Sequence, residues 1–259
     1  MIREIIKMEK TEIRVIPVNG IPIIQPNDDL ALQILEAAKT QNLEIVEDDV
    51  IVITQRIVSR AEDRIRPLDE FNPSPFALQY AKNYQKDPRV VEAVLTESKR
   101  VIRQVGGVLI TETHHGFKCA NAGVDASNVG NSEMISLLPI DPDKSCNLIR
   151  KNFLKHNGSN VAVIMTDTFG RPWRHGQTNV AIGVAGMLPF RDYIGEVDMD
   201  GRELAVTTIC VADELAGMAE LVMGKSDGIP VAIIKGYSFP RGNGSSKEIV
   251  RETALDLFP

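Results

Sequence analysis

The sequence predicts an α/β (mixed α+β) fold. Three observations carry the prediction. Val50–Thr54 and Asn160–Met165 are largely apolar runs of strand length, the first an unbroken β-branched run. Several intervening stretches place apolar residues at helical spacing. Val101–Thr113 alternates loosely around Gly106-Gly107, which reads as a hairpin.

The elements run in chain order. Ile13–Ile24, broken by Asn19-Gly20 and Pro22, reads as a strand, a turn and a short extended piece. Asn27 or Asp28 offers an N-cap for a helix near Asp29–Thr40, where Leu30, Ile34 and Leu35 set the stripe. Pro67–Pro75 is a proline-rich loop, followed by helical patterns over Phe76–Tyr84 and Pro88–Ser98. Asn121–Asn131 is a loop of small and polar residues. Asp141-Pro142-Asp143 starts a helix that runs to about His156. After the strand that ends near Met165, a polar, glycine-rich segment reaches about Gly176. Val206–Val211 and Pro230–Lys235 read as strands around a helix over Asp213–Met223, and Ser246–Leu257 reads as a final helix. No internal repeat or low-complexity linker divides the chain, so residues 1–259 are expected to form one unit.

The chain has 259 residues, 43% hydrophobic and 25% charged, enough to bury a core without a disulfide or zinc staple. The formal charge of −6 argues against nucleic acid as a default partner, because that needs a basic footprint. Cys119, Cys146 and Cys210 are widely spaced and odd in number, which fits reduced thiols rather than a disulfide framework. No apolar run approaches a membrane span, and Met1–Lys10 lacks the apolar centre of a signal peptide, so a cytoplasmic setting is expected.

Two polar clusters at strand ends concentrate candidate chemistry: Asn121–Asn128 and Thr166–Gln177. Asp125 and Asp167 are carboxylates among small and hydroxyl residues, a setting that suits Mg²⁺ or Mn²⁺ and equally suits an Asx-turn or helix cap. Arg171 and Arg174 bracket Pro172-Trp173 and could grip phosphate or carboxylate. His175 is a candidate general acid or base, or a hydrogen-bonded structural histidine. His114-His115 lacks a metal-ligand partner at a suitable spacing and is read as a loop or a substrate contact. Arg56, Arg60 and Arg64 recur every four residues and would form one basic stripe on a helix, with Glu62 and Asp63 close by to pair with them. There is no GxxxxGK[ST], GxSxG, HExxH or GxGxxG motif. The residues alone point to a metal-and-phosphate enzyme without a standard nucleotide loop.

Several strings go further. They include Val15–Pro22, Ile57–Glu62, Asn121–Asn128 (NAGVDASN), Thr166–Arg174 (TDTFGRPWR), Gly201–Leu204, Val211–Glu214 and Leu221–Gly224. In this order and over nearly the whole chain, the sequence resembles the coenzyme F420-0:L-glutamate ligase (F420 γ-glutamyl ligase) family, which adds glutamate to a deazaflavin cofactor precursor. The resemblance implies an F420 ligase-like fold with mixed sheets, an intertwined homodimer, and GTP-dependent amide formation with Mg²⁺ or Mn²⁺, two ions in all, and K⁺. Carried over by position, Asp125 and Asp167 would hold one metal and Thr168 a second. Asn128 would contact the nucleotide. The GTP site would be lined by Pro17, Val18, Asn19, Gly20, Ile21 and Pro22, by Thr54, Gln55 and Arg60, and by Leu221, Val222, Met223, Gly224, Lys225, Ser226 and Asp227. Read from the residues rather than carried over from the family, Arg171 and Arg174 are the candidates for steadying the transferred phosphoryl group or binding an acidic substrate. The chain departs from the expected pattern at Arg56 and Arg60, where many members have Lys, at Asp63 in place of Gly, and at Lys225, where some members carry an acidic residue. The expected partners are GTP, L-glutamate and F420-0. The alternatives are a related ligase with another acceptor, a non-catalytic nucleotide- or deazaflavin-binding protein, and a metal-dependent phosphatase.

Overall fold

A computed structural model describes residues 12–126 and 133–256. In chain order the elements are β1 (Arg14–Pro17), α1 (Leu30–Thr40), β2 (Val50–Thr54), α2 (Gln55–Ala61), β3 (Ile65–Pro67), α3 (Pro75–Tyr84), α4 (Pro88–Thr96), β4 (Ser98–Val105), β5 (Val108–Thr113), β6 (Lys118–Ala120) and β7 (Met134–Ser136). They continue with α5 (Pro142–Asn157), β8 (Ala162–Arg171), β9 (Arg174–Ala185), β10 (Arg191–Asp192), β11 (Thr208–Ile209), α6 (Val211–Met223) and β12 (Val231–Lys235). The mixed α/β class is as the sequence predicts.

The main sheet has the order β1-β12-β2-β8-β9. β2 and β8 run parallel, with Val50 opposite Ala162 through Thr54 opposite Thr166, and the sheet's other neighbours pair antiparallel. Alternation along β2 sends Ile51 and Ile53 to one face and Val50 and Val52 to the other. On the first face they meet α1 (Leu30, Ile34, Ala38) and α5 (Cys146, Ile149, Phe153); on the second they meet α6 (Leu215, Ala216, Ala219). A strand covered by helices on both sides needs apolar residues at every position, which is why this segment reads as an unbroken run.

Local signals place most helix starts. Asp29, one residue beyond the expected cap, accepts hydrogen bonds from the N–H groups of Ala31 and Leu32. Asp28 instead accepts from the N–H of Gln25 in the preceding turn. Ser74, Asp87 and Asp141 cap α3, α4 and α5, each followed by proline at the first helical position. The hairpin at Gly106-Gly107 forms as expected, with φ of +54° and +78° at the two turn residues. It leads a second sheet, β4-β5-β6, which packs on α3 and α4 through Leu109, Tyr80 and Val91.

Three expectations differ from the structure. The polar stretch Thr166–Gln177 is not a loop: β8 runs through Arg171 and β9 returns from Arg174, so it is a hairpin that projects past β2. Its outer half is exposed on both faces, which removes the apolar alternation that marks a strand. Val206–Val211 contributes only the two-residue β11, and Val211 already opens α6. Ser246–Leu257 is two short 3₁₀ turns, Ser246–Glu248 and Thr253–Leu255, with Leu257 outside the described residues.

α5 lies against β9 at Gly183, where an added Cβ would fall 2.7 Å from the carbonyl oxygen of Pro142. Gly183→Ala is expected to cost roughly 1–3 kcal/mol through overpacking against backbone, lowering Tm by about 2–4 °C per kcal/mol in a thermal melt. An unchanged Tm would show that α5 can move away.

Candidate functional site

The sheet order brings several chain ends to one edge. β2 ends at Thr54, and its parallel partner passes Thr166 directly opposite. β9 and β12 run the other way, so Gln177 and Asn179 in β9, and Gly228–Pro230 ahead of β12, arrive at the same edge. Ile21–Ile24, after β1, close one side. Together they enclose a cleft of about 770 Å³, lined also by Arg56, Arg60, Asp125, Asp167, Thr168 and Lys225. Clefts beyond the carboxyl ends of parallel strands are common ligand sites in open α/β sheets.

Each charged group has a structural reason to be there. Arg56 and Arg60 lie on α2, which begins as soon as β2 ends, so the helix carries them onto the cleft. Asp125 is anchored by its backbone: its N–H donates to Ser136 O at 3.0 Å, and the N–H of Ser136 donates back at 2.8 Å. Its carboxylate accepts from Arg56 Nη2 at 2.5 Å. Asp167 follows a bulge where β9 carries one extra residue, Ile182, between Ala181 and Gly183. Bulges of this kind re-aim side chains beside functional sites. The Asp167 carboxyl still touches solvent, but the surrounding protein pushes its pKa up to about 6, and the negative charge of Asp125 acts in the same direction. A hydrogen bond from the Thr168 N–H and the charges of Lys225 and Arg56 oppose the rise.

Thr168 Oγ1 donates to Asn179 Oδ1 at 2.7 Å and accepts from Lys225 Nζ at 2.6 Å. Lys225 Nζ also donates to Asn179 Oδ1 at 3.1 Å and pairs with Glu220 Oε1 at 2.8 Å. Arg60 lines the cleft, and among the described residues its guanidinium has no hydrogen-bond or ion-pair partner. Asp125 and Asp167 are the two cleft carboxylates that could hold a hard divalent cation of the Mg²⁺ type, which takes one or two carboxylates and completes its shell with water and phosphate oxygens. Among the described residues no three His, Cys, Asp or Glu side chains converge to form a fuller metal site.

The cleft therefore gathers Ile21, Pro22, Thr54, Gln55, Arg60, Asp125, Asp167, Thr168, Gly224 and Lys225 from the residues singled out in the sequence. Other residues named with them lie elsewhere. Pro17 belongs to β1, Val18 and Met223 are core residues, and Val222 packs against the core. Asn19 bonds Gln41, Gly20 is exposed, and Leu221 faces outward at 85% exposure. Ser226 and Asp227 sit just beyond the lining and bond each other. Arg171, Arg174 and His175 occupy the exposed hairpin tip, outside the cleft lining; Arg171 Nη2 donates to the carbonyl of His175 at 3.1 Å. Asn128 lies outside the described residues. His114 and His115 bond the backbone carbonyls of Thr96 and Pro139 and do not line the cleft. Arg64 falls past α2 and pairs with Glu97 rather than completing the basic stripe. The three cysteines are free, and burial raises the pKa of each thiol.

Sequence reasoning missed Asn179 and Glu220. Asn179 is buried inside β9, and Glu220 is one acid among several on α6.

The sequence model of the F420-0:Gamma-glutamyl ligase family matches residues 20–236. The Coenzyme F420:L-glutamate ligase of Methanothermobacter thermautotrophicus is 45% identical over 249 residues, covering 95% of this chain and 98% of that protein. The protein of the same name from Methanocaldococcus jannaschii is 42% identical over 251 residues, with 96% and 98% covered. The one from Methanococcus maripaludis strain C7 is 41% identical over 259 residues, covering both chains fully.

Because the Asp167 pKa is raised from 3.8 to about 6, the neutral carboxyl favours the fold. That stability is fully present below pH 3.8 and is lost as pH rises through about 6. Asp167→Asn, neutral at every pH, should therefore raise Tm at pH 8 by the equivalent of roughly 3 kcal/mol at most, and the gain should shrink toward zero below about pH 4. A gain independent of pH would show that the carboxylate is not strained by burial.

Proposed function

This chain belongs to the F420-0:Gamma-glutamyl ligase family, and from that premise we propose that it is a ligase of coenzyme F420 biosynthesis that joins L-glutamate to F420-0 with consumption of GTP. The observation that supports this most is the cleft, where Asp125 and Asp167 face Arg56, Arg60 and Lys225 at the end of the parallel strand pair. Such a site suits substrates that are themselves anions. Nucleotide phosphates, a carboxylate acceptor and glutamate all need cationic partners, and the chain's negative charge makes local concentration of those partners necessary.

The chemistry explains why both charge signs are needed. A free carboxylate does not form an amide at neutral pH, because oxide is not a leaving group. Transfer of the γ-phosphoryl group of GTP to the F420-0 carboxylate gives an acyl phosphate and GDP. The glutamate amine then attacks the acyl carbon, inorganic phosphate departs with the C–O bond electrons, and the amine proton passes to solvent. The protein's contribution is positioning and charge neutralisation. A divalent cation held by Asp125 and Asp167 would supply Lewis acidity toward phosphate oxygens. Arg60, on the cleft wall and without an ion-pair partner among the described residues, is the natural grip for phosphate. Arg56 balances Asp125 and would turn toward substrate when the carboxylate takes another cation.

Incubation with GTP, Mg²⁺, L-glutamate and F420-0 should yield a product heavier by one or more glutamyl residues, read by mass spectrometry, with phosphate release that requires glutamate. Phosphate release without glutamate would indicate a phosphatase, and no product from folded protein would overturn the proposal. Asp125→Ala should lower turnover by roughly 100-fold or more while leaving Tm within a few degrees. Near-normal turnover would remove Asp125 from the metal role.

A further inference from the structure

The two-cation expectation meets an obstacle at Thr168. Its hydroxyl oxygen is 2.6 Å from Lys225 Nζ, and the same ammonium lies 2.8 Å from Glu220 Oε1 and 3.1 Å from Asn179 Oδ1. Three oxygens from three different elements, β8, β9 and α6, thus converge on one positive charge.

The arrangement is built rather than incidental. Asn179 is buried, and its amide nitrogen donates to Glu220 Oε2 at 2.8 Å, which directs its oxygen toward Thr168 and Lys225. Thr168 gives its proton to that same oxygen, leaving a lone pair for the ammonium. Gly224 ends α6 at φ +57° and ψ −172°, a conformation that strongly favours glycine, and a Cβ there would fall 2.7 Å from Asp227 Oδ2. That turn delivers Lys225 to the cleft wall.

We propose that the Lys225 ammonium occupies the position of a second cation, so that this chain works with one divalent ion where two were expected. A metal ion and an ammonium cannot share Thr168 Oγ1: a hard cation needs its oxygen at about 2.0–2.6 Å with free lone pairs, and the two positive charges would stand within a few ångströms. The lysine supplies one fixed positive charge to the phosphate-binding wall. It acts as a point charge, without the Lewis acidity of a metal. This inference rests on the proposed divalent site at Asp125 and Asp167.

The test counts ions. Mn²⁺ is titrated into the full chain with one equivalent of a non-hydrolysable GTP analogue, and bound ions are read by electron paramagnetic resonance. One Mn²⁺ per chain is expected, without the dipolar broadening of a close ion pair. Lys225→Glu, an exposed substitution checked for folding by its melt, should raise the count to two and introduce that broadening. Two ions bound by the unsubstituted protein would overturn the inference and leave the Asp125–Asp167 site standing. One ion in both proteins would also overturn it, because the ammonium would then not be what excludes the second. No bound ion in either would overturn the Asp125–Asp167 reading itself, and this inference with it.

Discussion

The cleft depends on the parallel pairing of β2 with β8. Five register pairs, Val50 with Ala162 through Thr54 with Thr166, hold the two strands side by side. Every side chain of the pair from Val50 to Ile53 and from Ala162 to Met165 is fully buried. Helices cover both faces, so the register cannot slip: a shift by one residue would exchange the two faces and turn Asp167 away from its present side. Parallel strands end at the same edge, and that places Thr54, Gln55 and α2 beside Thr166, Asp167 and Thr168 although more than a hundred residues separate them.

The continuation of each strand converts that edge into a site. β2 stops and becomes a helix carrying two arginines, while β8 continues alone with β9 as a projecting hairpin. The Ile182 bulge sits where β8 leaves the sheet, so the change from buried to exposed strand coincides with a change in side-chain direction at Asp167. Charge is then distributed by pairing. Asp125 is set against Arg56 and Glu220 against Lys225, while Arg60 has no such partner among the described residues. A chain of net charge −6 thereby presents cations to a cleft whose proposed ligands are all anions.

Legibility in the sequence tracks burial. Val50–Ile53 and Val161–Met165 are readable because strands covered on both faces must be apolar throughout, α1 because an aspartate caps it, and α3, α4 and α5 because an acid or serine cap followed by proline marks each start. The hairpin at Gly106-Gly107 is readable because two successive positive φ values favour that pair. Thr166–Gln177 reads wrongly as a loop because an exposed strand carries no such stamp. The tail after Ser245 reads wrongly as a helix because a serine cap at Ser245 or Ser246 announces a helix start but not its length; here the first turn is three residues long.

By itself the sequence determined the α/β class, most buried strands and helix starts, and, through the NAGVDASN and TDTFGRPWR strings, the family and the two carboxylates that share the cleft. These are local properties: burial sets composition, caps set boundaries, and short strings hold their residues at fixed spacing. Only the tertiary structure decided which charges meet. Arg56 finds Asp125 across 69 positions, and Lys225 reaches Thr168 across 57. It also placed Arg171, Arg174 and His175 on an exposed tip and brought Asn179 and Glu220 into the cleft wall's hydrogen-bond network. The reason is that strand order and a single bulge, neither of which leaves a mark in local composition, determine which side chains share an edge of the sheet.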